Sequence, residues 1–181
     1  MQALMLVDVQ RAFHDESWGK RNNEHAEDNM RTLLAVWREA SRPVIHIHHT
    51  SENPDSLFYS EGEGVKVQEG LEPQVNEAVF RKTVNSAFIG TELEEWLRSK
   101  GISTIVVAGL TTQHCISTTV RMSGNLGFHT YVVADATAAF ELRGADGTLI
   151  DPHTIHTVSL ATLHNEFGRV VTTEELLTTA F

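Results

Sequence analysis

The sequence predicts an α/β fold, a three-layer sandwich in which a mostly parallel sheet is flanked by helices. Short apolar runs rich in β-branched residues recur along the chain, and segments of helical length separate them. These runs are continuously apolar rather than alternating, which is typical of strands that are covered on both faces. Strands and helices that alternate through right-handed crossovers form a doubly wound sheet.

Six segments are predicted as strands from this pattern. Residues 27–40 carry apolar side chains at i, i+3, i+4 and i+7, which indicates a helix with one buried face. Residues 91–100 form a second predicted helix, with Thr91 as N-cap and Gly101 just beyond its end. Residues 51–74 are too long and too rich in Gly and Glu for a plain connection, so a functional loop is expected. The predicted strands are residues 3–8, 43–48, 79–82, 104–109, 129–134 and 169–172.

The composition is typical of a single soluble domain and argues against proteins that bind nucleic acid or membranes. The 181 residues suit a single domain spanning residues 1–181. A net charge of −10 argues against nucleic acid and anionic membranes as partners. There is no apolar run long enough to span a bilayer, and the N-terminus lacks the features of a signal peptide. With a single cysteine no internal disulfide can form, so we expect a cytoplasmic protein in a reducing compartment.

Chemically useful side chains are expected at one edge of the sheet. In doubly wound sheets, ligands bind beyond the carboxyl ends of the strands. Asp8 ends the first predicted strand, His48 and His49 end the second, and Lys82 ends the third. Cys115 follows the 104–109 strand, so an acid, a lysine and the single cysteine are predicted to lie close together.

Cys115 lies where a strand turns through Thr111 and Thr112 into a helix. Free N–H groups and partial positive charge at a helix N-terminus are expected to lower the pKa of the thiol. The same N–H groups can bind the oxyanion that forms when a carbonyl is attacked. From its position alone, Cys115 is equally well explained as a small buried hydrophobic residue.

The partners of Cys115 have alternative explanations as well. Asp8 could take the thiol proton and pass it to a leaving amine, or it could cap a turn. Lys82 could fix the thiolate and Asp8, although a lone lysine is more often a surface residue. Their combined placement indicates catalysis more strongly than any one of them does.

The segments LMLVDVQ, VFRKTVNSAF, VVAGLTTQHCISTTVRM and YVVADATAAF resemble the isochorismatase-like cysteine hydrolase family over nearly the whole chain. The resemblance implies a Rossmann-like sheet and a catalytic triad of Asp8, Lys82 and Cys115. It also implies a cis peptide bond at Leu110–Thr111, with the backbone amides of Thr111 and Cys115 forming the oxyanion hole. Such an enzyme hydrolyses an amide through a thioester, and relatives are commonly homodimers or homotetramers.

The resemblance also bears on metal binding. Nicotinamidases of this family carry an Asp-x-His metal site after the second strand, and this chain has HIHHTSENPD there instead. We therefore expect no cofactor and no metal, and the departure from the motif argues against nicotinamidase activity. His46 and His48 face the same side of their strand and could ligate zinc, but buried or capping histidines are commoner. The expected pocket residues are Gln10, Phe13, Trp18, His49 and Phe88.

Two further functions remain open beside hydrolysis of a small-molecule amide. One is vinyl-ether hydrolysis of the isochorismatase type, although members with that activity dispense with the cysteine. The other is a redox or binding protein that uses the reactive thiol. Asp135, in VADAT, is expected to cap a loop, and a Cys115–His114 dyad is disfavoured because neighbouring helical residues point about 100° apart.

Overall fold

In the computed structural model, which describes residues 1–179, six parallel strands form one sheet in the order β3-β2-β1-β4-β5-β8. The strands are β1 Gln2–Val7, β2 Val44–His49, β3 Ala78–Lys82, β4 Thr104–Leu110, β5 His129–Ala138 and β8 Arg169–Val171. Two short strands, β6 Leu142–Arg143 and β7 Leu149–Ile150, pair as a separate hairpin. The predicted α/β class and the six-stranded parallel sheet are confirmed.

Helices cover both faces of the sheet. Among residues 1–179 the α-helices are α1 Ala26–Glu39, α2 Leu93–Ser99, α3 Ser117–Asn125, α4 Pro152–Leu163 and α5 Thr173–Thr179. One apolar core joins alternate β1 residues to α1 and α5, and a second joins the other β1 residues to α2, α3 and α4. The predicted buried face of α1 is confirmed, because its four apolar side chains are almost fully buried: Met30, Leu33, Leu34 and Trp37. Within residues 1–179, none of the helices is both long and apolar enough to cross a bilayer.

Some predicted element ends are wrong by a few residues. Strand β5 continues to Ala138, because a register shift against β4 after Val107 lets the pairing resume at Thr137. Helix α2 begins at Leu93 rather than at the predicted residue 91, so Thr91 precedes the N-cap. Its hydroxyl nevertheless accepts a hydrogen bond from the Leu93 amide at 3.4 Å.

Asp135, which was expected to cap a loop, lies within β5 and caps the start of a helix instead. Its Oδ1 accepts hydrogen bonds from the Thr173 amide at 2.8 Å and from the Thr173 hydroxyl at 2.9 Å. Thr173 is the first residue of α5. The carboxylate therefore satisfies an otherwise unpaired N–H at the start of that helix.

A buried glutamate anchors the strand that carries Lys82. Glu77 immediately precedes β3, and its carboxylate accepts two hydrogen bonds from Arg38, at 2.7 and 2.8 Å. It also accepts hydrogen bonds from His46 Nε2 and from the Gln74 amide, each at 2.8 Å. Burial favours a higher pKa for Glu77, but these hydrogen bonds outweigh it and lower the pKa to about 2. The carboxylate thus ties β3 to α1 and to β2.

Replacing Glu77 with glutamine is expected to lower the free energy of unfolding at pH 7 by about 3 kcal/mol, because Arg38 and His46 lose an anionic partner. The folded pKa of about 2 lies below the ordinary value of 4.5. This stabilisation is therefore complete above the ordinary pKa and is lost as the pH falls toward 2. Urea unfolding of wild type and Glu77→Gln at several pH values measures the difference.

A matched control is Glu52→Gln, which changes an exposed glutamate in the same connection between β2 and β3. Its effect should stay within about 0.5 kcal/mol. A Glu77→Gln penalty no larger than that of Glu52→Gln, or one that persists unchanged below pH 3, would contradict this account of β3.

Candidate active site

Asp8 is the first residue after β1 and turns out of the strand direction. Its φ of 53° lies in the left-handed region, which Asp tolerates better than most residues. Its amide donates to the Ile47 carbonyl and its own carbonyl accepts from the Gln10 amide, both at 2.8 Å. Gly109 lets β4 approach closely here, since a Cβ at that position would lie 2.0 Å from the Val7 carbonyl oxygen.

Lys82, at the end of β3, is almost completely buried, and its ammonium group makes three side-chain contacts. Its Nζ lies 2.6 Å from Asp8 Oδ2, 3.1 Å from His49 Nδ1 and 3.3 Å from Cys115 Sγ. A lysine ammonium has three N–H donors and no acceptor. All three donors of Lys82 are therefore used, and the predicted clustering of Asp8, Lys82 and Cys115 is found.

Cys115 is presented by a short helical turn that follows β4. The peptide bond Leu110–Thr111 is cis, as the resemblance implied. The Thr111 carbonyl accepts from the amides of His114 and Ile116, both at 3.2 Å, within a π-helical turn over Thr112–Ile116. That turn leads directly into α3. The predicted strand–turn–helix placement of Cys115 is therefore confirmed, while the use of the Thr111 and Cys115 amides as an oxyanion hole stays a prediction.

The expected lowering of the thiol pKa is wrong. Burial raises the pKa of Cys115 to about 12, and the negative charge of Asp8 raises it further, against the opposing effect of Lys82. The residue is only 9% exposed, so the loss of hydration outweighs the favourable field of a helix N-terminus. In the resting protein the thiol therefore keeps its proton.

Asp8 is placed to receive that proton. Its Oδ2 pairs with Lys82, whereas its buried Oδ1 has no N–H or O–H partner among the described residues. A carboxylate oxygen of Asp8 lies within 4.8 Å of Cys115 Sγ. Burial raises the pKa of Asp8, although the charge of Lys82 opposes the shift. A higher pKa makes the carboxylate a stronger base toward the thiol.

Two of the expected pocket residues, Phe13 and Trp18, belong to a cluster of aromatic side chains. Phe13 and Trp18 lie 5.0 Å apart between ring centroids, and they pack with Phe58 and Phe140 in one aromatic cluster. Phe58 belongs to the 51–74 loop and extends the cluster to His49, whose ring lies 5.0 Å away. Phe13 is buried in the core, so the half-buried Trp18 and Phe58 are the more accessible members.

The other expected pocket residues have different surroundings. Phe88 stacks on Phe128 at 6.0 Å, and Phe128 precedes β5 at the opposite edge of the sheet. Gln10 makes no side-chain bond to Asp8 or Lys82 among the described residues. Its side chain instead bonds to the backbone of His49 and to the Val65 carbonyl. A role for these residues in substrate binding stays a prediction.

Within residues 1–179, one cluster of potential metal-ligating side chains comes together, formed by Asp8, His49 and Cys115. Each offers one ligand atom within 4.8 Å of the others. Because Lys82 Nζ bonds to all three residues, its ammonium already neutralises the negative charge of this cluster. His46 and His48 are outside the cluster, and His46 bonds to Glu77 instead.

A second buried network next to the site involves residues that the sequence did not reveal. Thr112 Oγ1 lies 2.8 Å from His156 Nδ1, and both side chains are buried. Burial lowers the pKa of His156 to about 4, so its ring is neutral, and the ring tautomer decides whether Nδ1 or the Thr112 hydroxyl is the donor. His156 lies on α4, a helix for which no start signal was identified, and nothing in its sequence context linked it to Thr112.

Comparisons with known proteins agree with this arrangement. The family model for the isochorismatase domain matches residues 2–175. The uncharacterized isochorismatase family protein YrdC of Bacillus subtilis is 53% identical over 176 residues, covering 97% of this chain and 94% of YrdC. A crystal structure from Chromobacterium violaceum, assigned to the same family, superimposes with a TM-score of 0.95 at 39% identity, covering 98% of this chain and 92% of that chain.

A relative with a stated activity is maleamate amidohydrolase of Pseudomonas putida. It is 30% identical over 163 residues, which cover 80% of this chain and 70% of the relative.

Changing Asp8 to asparagine should lower the pKa of Cys115, because it removes the negative charge that opposes thiolate formation and leaves Lys82 in place. We expect iodoacetamide to label Cys115 about tenfold faster in Asp8→Asn than in wild type at pH 8. Mass spectrometry of the labelled cysteine measures the rates, and circular dichroism checks the fold. Equal rates, or a wild-type labelling profile that levels off below pH 9, would refute the high thiol pKa.

Proposed function

The chain belongs to the isochorismatase family, and on that premise we propose that it is a cysteine amidohydrolase, which cleaves the C–N bond of a small amide through a thioester on Cys115. The observation that carries the proposal is the bonding of one buried ammonium group, that of Lys82, to both Asp8 and Cys115. The amide substrate named for maleamate amidohydrolase supports the choice of bond.

The first step is transfer of the thiol proton to Asp8. Because burial and Asp8 keep the thiol protonated at rest, the thiolate forms as the sulfur attacks the substrate carbonyl. Lys82 stays within bonding distance of both groups, so its charge offsets the negative charge as it moves from the carboxylate to the sulfur. The proton then held by Asp8 is available to the leaving nitrogen.

The remaining steps complete an acyl transfer. The amides of Thr111 and Cys115 bind the oxyanion, and its collapse breaks the C–N bond and releases ammonia or an amine. Water then attacks the thioester and gives a proton to Asp8. The acid product leaves, and the proton returns to the sulfur, which regenerates the free thiol. One water is consumed for each C–N bond that is cleaved.

Wild-type protein is expected to release ammonia from at least one member of a panel of small amides, carbamoyl compounds and ureides. Cys115→Ala should lower kcat/KM by at least about a thousandfold, since the covalent route is lost. A matched control is His114→Asn, which changes the exposed neighbour and should leave the rate within about twofold. A coupled ammonia assay measures all three proteins.

Substantial turnover by Cys115→Ala would refute the thioester route. Hydrolysis of a vinyl ether without ammonia release would favour isochorismatase-type chemistry instead. If iodoacetamide labels Cys115 but no amide is cleaved, the remaining hypothesis is a redox or binding protein.

Metal removal gives an independent test of the chemistry. Because Lys82 already supplies the positive charge between Asp8, His49 and Cys115, dialysis against EDTA should change ammonia release by less than about twofold. Elemental analysis before and after dialysis shows whether a metal was removed. Activity that is lost on dialysis and restored by one divalent metal would contradict the metal-free route.

A further inference from the structure

His49 is held firmly at the carboxyl edge of the sheet. It is the last residue of β2 and pairs in register with Lys82 of β3. The side chain of the fully buried Gln10 bonds to both backbone groups of His49, accepting from its amide and donating to its carbonyl, each at 2.8 Å. This two-point contact fixes the backbone from which the imidazole ring projects.

The contact with Lys82 determines which ring nitrogen carries the hydrogen. Lys82 Nζ has only donors, so His49 Nδ1, at 3.1 Å, must offer its lone pair. Burial, and secondly the charge of Lys82, lower the pKa of His49 to about 4, so the ring is neutral at pH 7. A neutral imidazole whose Nδ1 accepts has its hydrogen on Nε2.

The Nε2–H group is an available donor on a ring that has one of its nitrogens within 4.8 Å of Cys115 Sγ. Within residues 1–179 it has no hydrogen-bond acceptor, and unlike His48 Nε2 it is not a buried unpaired atom. The half-buried ring packs against Phe58 of the 51–74 loop. Lys82 cannot serve a substrate in the same way, because all three of its donors are used within the protein.

We propose that His49 is a specificity-determining residue, whose Nε2–H binds an sp² oxygen in the acyl part of the substrate. The site then prefers amides that carry a second hydrogen-bond acceptor, either a carbonyl or a carboxylate oxygen, close to the scissile carbonyl. This inference rests on the proposed amidohydrolase function. A group that only donates hydrogen bonds is disfavoured there, because it would face another donor.

Three substrates with a common four-carbon acyl chain test this preference. Succinamide offers a second carbonyl, succinamate offers a carboxylate and butanamide offers neither. In wild type we expect kcat/KM for succinamide to be about tenfold higher than for butanamide. For succinamate it should be higher than for butanamide by up to about a hundredfold. Comparing the first two shows which oxygen the site prefers.

His49→Asn is the decisive variant, since its side-chain oxygen can replace Nδ1 as the acceptor for Lys82 but no donor reaches the position of Nε2. In His49→Asn the ratio of kcat/KM for succinamide or succinamate to kcat/KM for butanamide should fall to about threefold or less, whatever the absolute rates become. His48→Asn is the matched control on the same strand, and the wild-type preference should persist in it. A preference that survives in His49→Asn, or that is absent from wild type, overturns the proposal.

Nitrogen-15 NMR of the histidine rings tests the same point without turnover. In a Cys115→Ser protein, His49 should show the Nε2–H tautomer at pH 7, and its Nε2 resonance should shift on addition of succinamide but not of butanamide. An Nδ1–H tautomer, or no shift with succinamide, overturns the assignment. If wild type cleaves no amide at all, the amidohydrolase proposal fails, and the NMR result then decides the role of His49 by itself.

Discussion

The arrangement at the carboxyl edge depends on burying one lysine ammonium with an acceptor for each of its three hydrogens. Removing such a group from water is costly unless it is paired and hydrogen-bonded. Asp8, His49 and Cys115 provide that pairing, and they come from the ends of three different strands or their following turns. Lys82 itself ends a fourth strand, so the geometry at this edge requires the whole sheet order from β3 to β4.

The same burial explains why the thiol is less acidic than a helix N-terminus alone would make it. In a site with little water, the charge of Asp8 and the loss of hydration act more strongly on Cys115 than backbone dipoles do. In the proposed mechanism, reactivity comes from a nearby base of raised pKa rather than from a thiolate that exists beforehand. A cysteine that keeps its proton reacts slowly with alkylating agents and oxidants, because the thiolate is the reactive form.

Much of the fold could be predicted from the sequence, because long apolar runs and one-sided helices carry a strong periodic signal. Asp8, Lys82 and Cys115 could be placed together because parallel strands end at a common edge. Side-chain contacts between segments that are distant in sequence carry no such signal, so the bonds of Gln10 to His49 and of Thr112 to His156 were not foreseen. The thiol pKa was mispredicted because burial depends on the complete packing around Cys115.

The loop that follows β2 closes on itself before it rejoins the sheet. The Ser51 amide bonds to the Phe58 carbonyl and the Ser60 amide bonds to the Ser51 carbonyl, both at 2.9 Å. Phe58, which contacts His49, is carried within this closed segment, while Asp8, Lys82 and Cys115 are carried by the sheet and its turns. Insertions and deletions inside the segment can therefore change the surface around Phe58 without moving Asp8, Lys82 or Cys115. Under the proposed function, exchange of this one short stretch of chain would change the choice of substrate while the chemistry stayed the same.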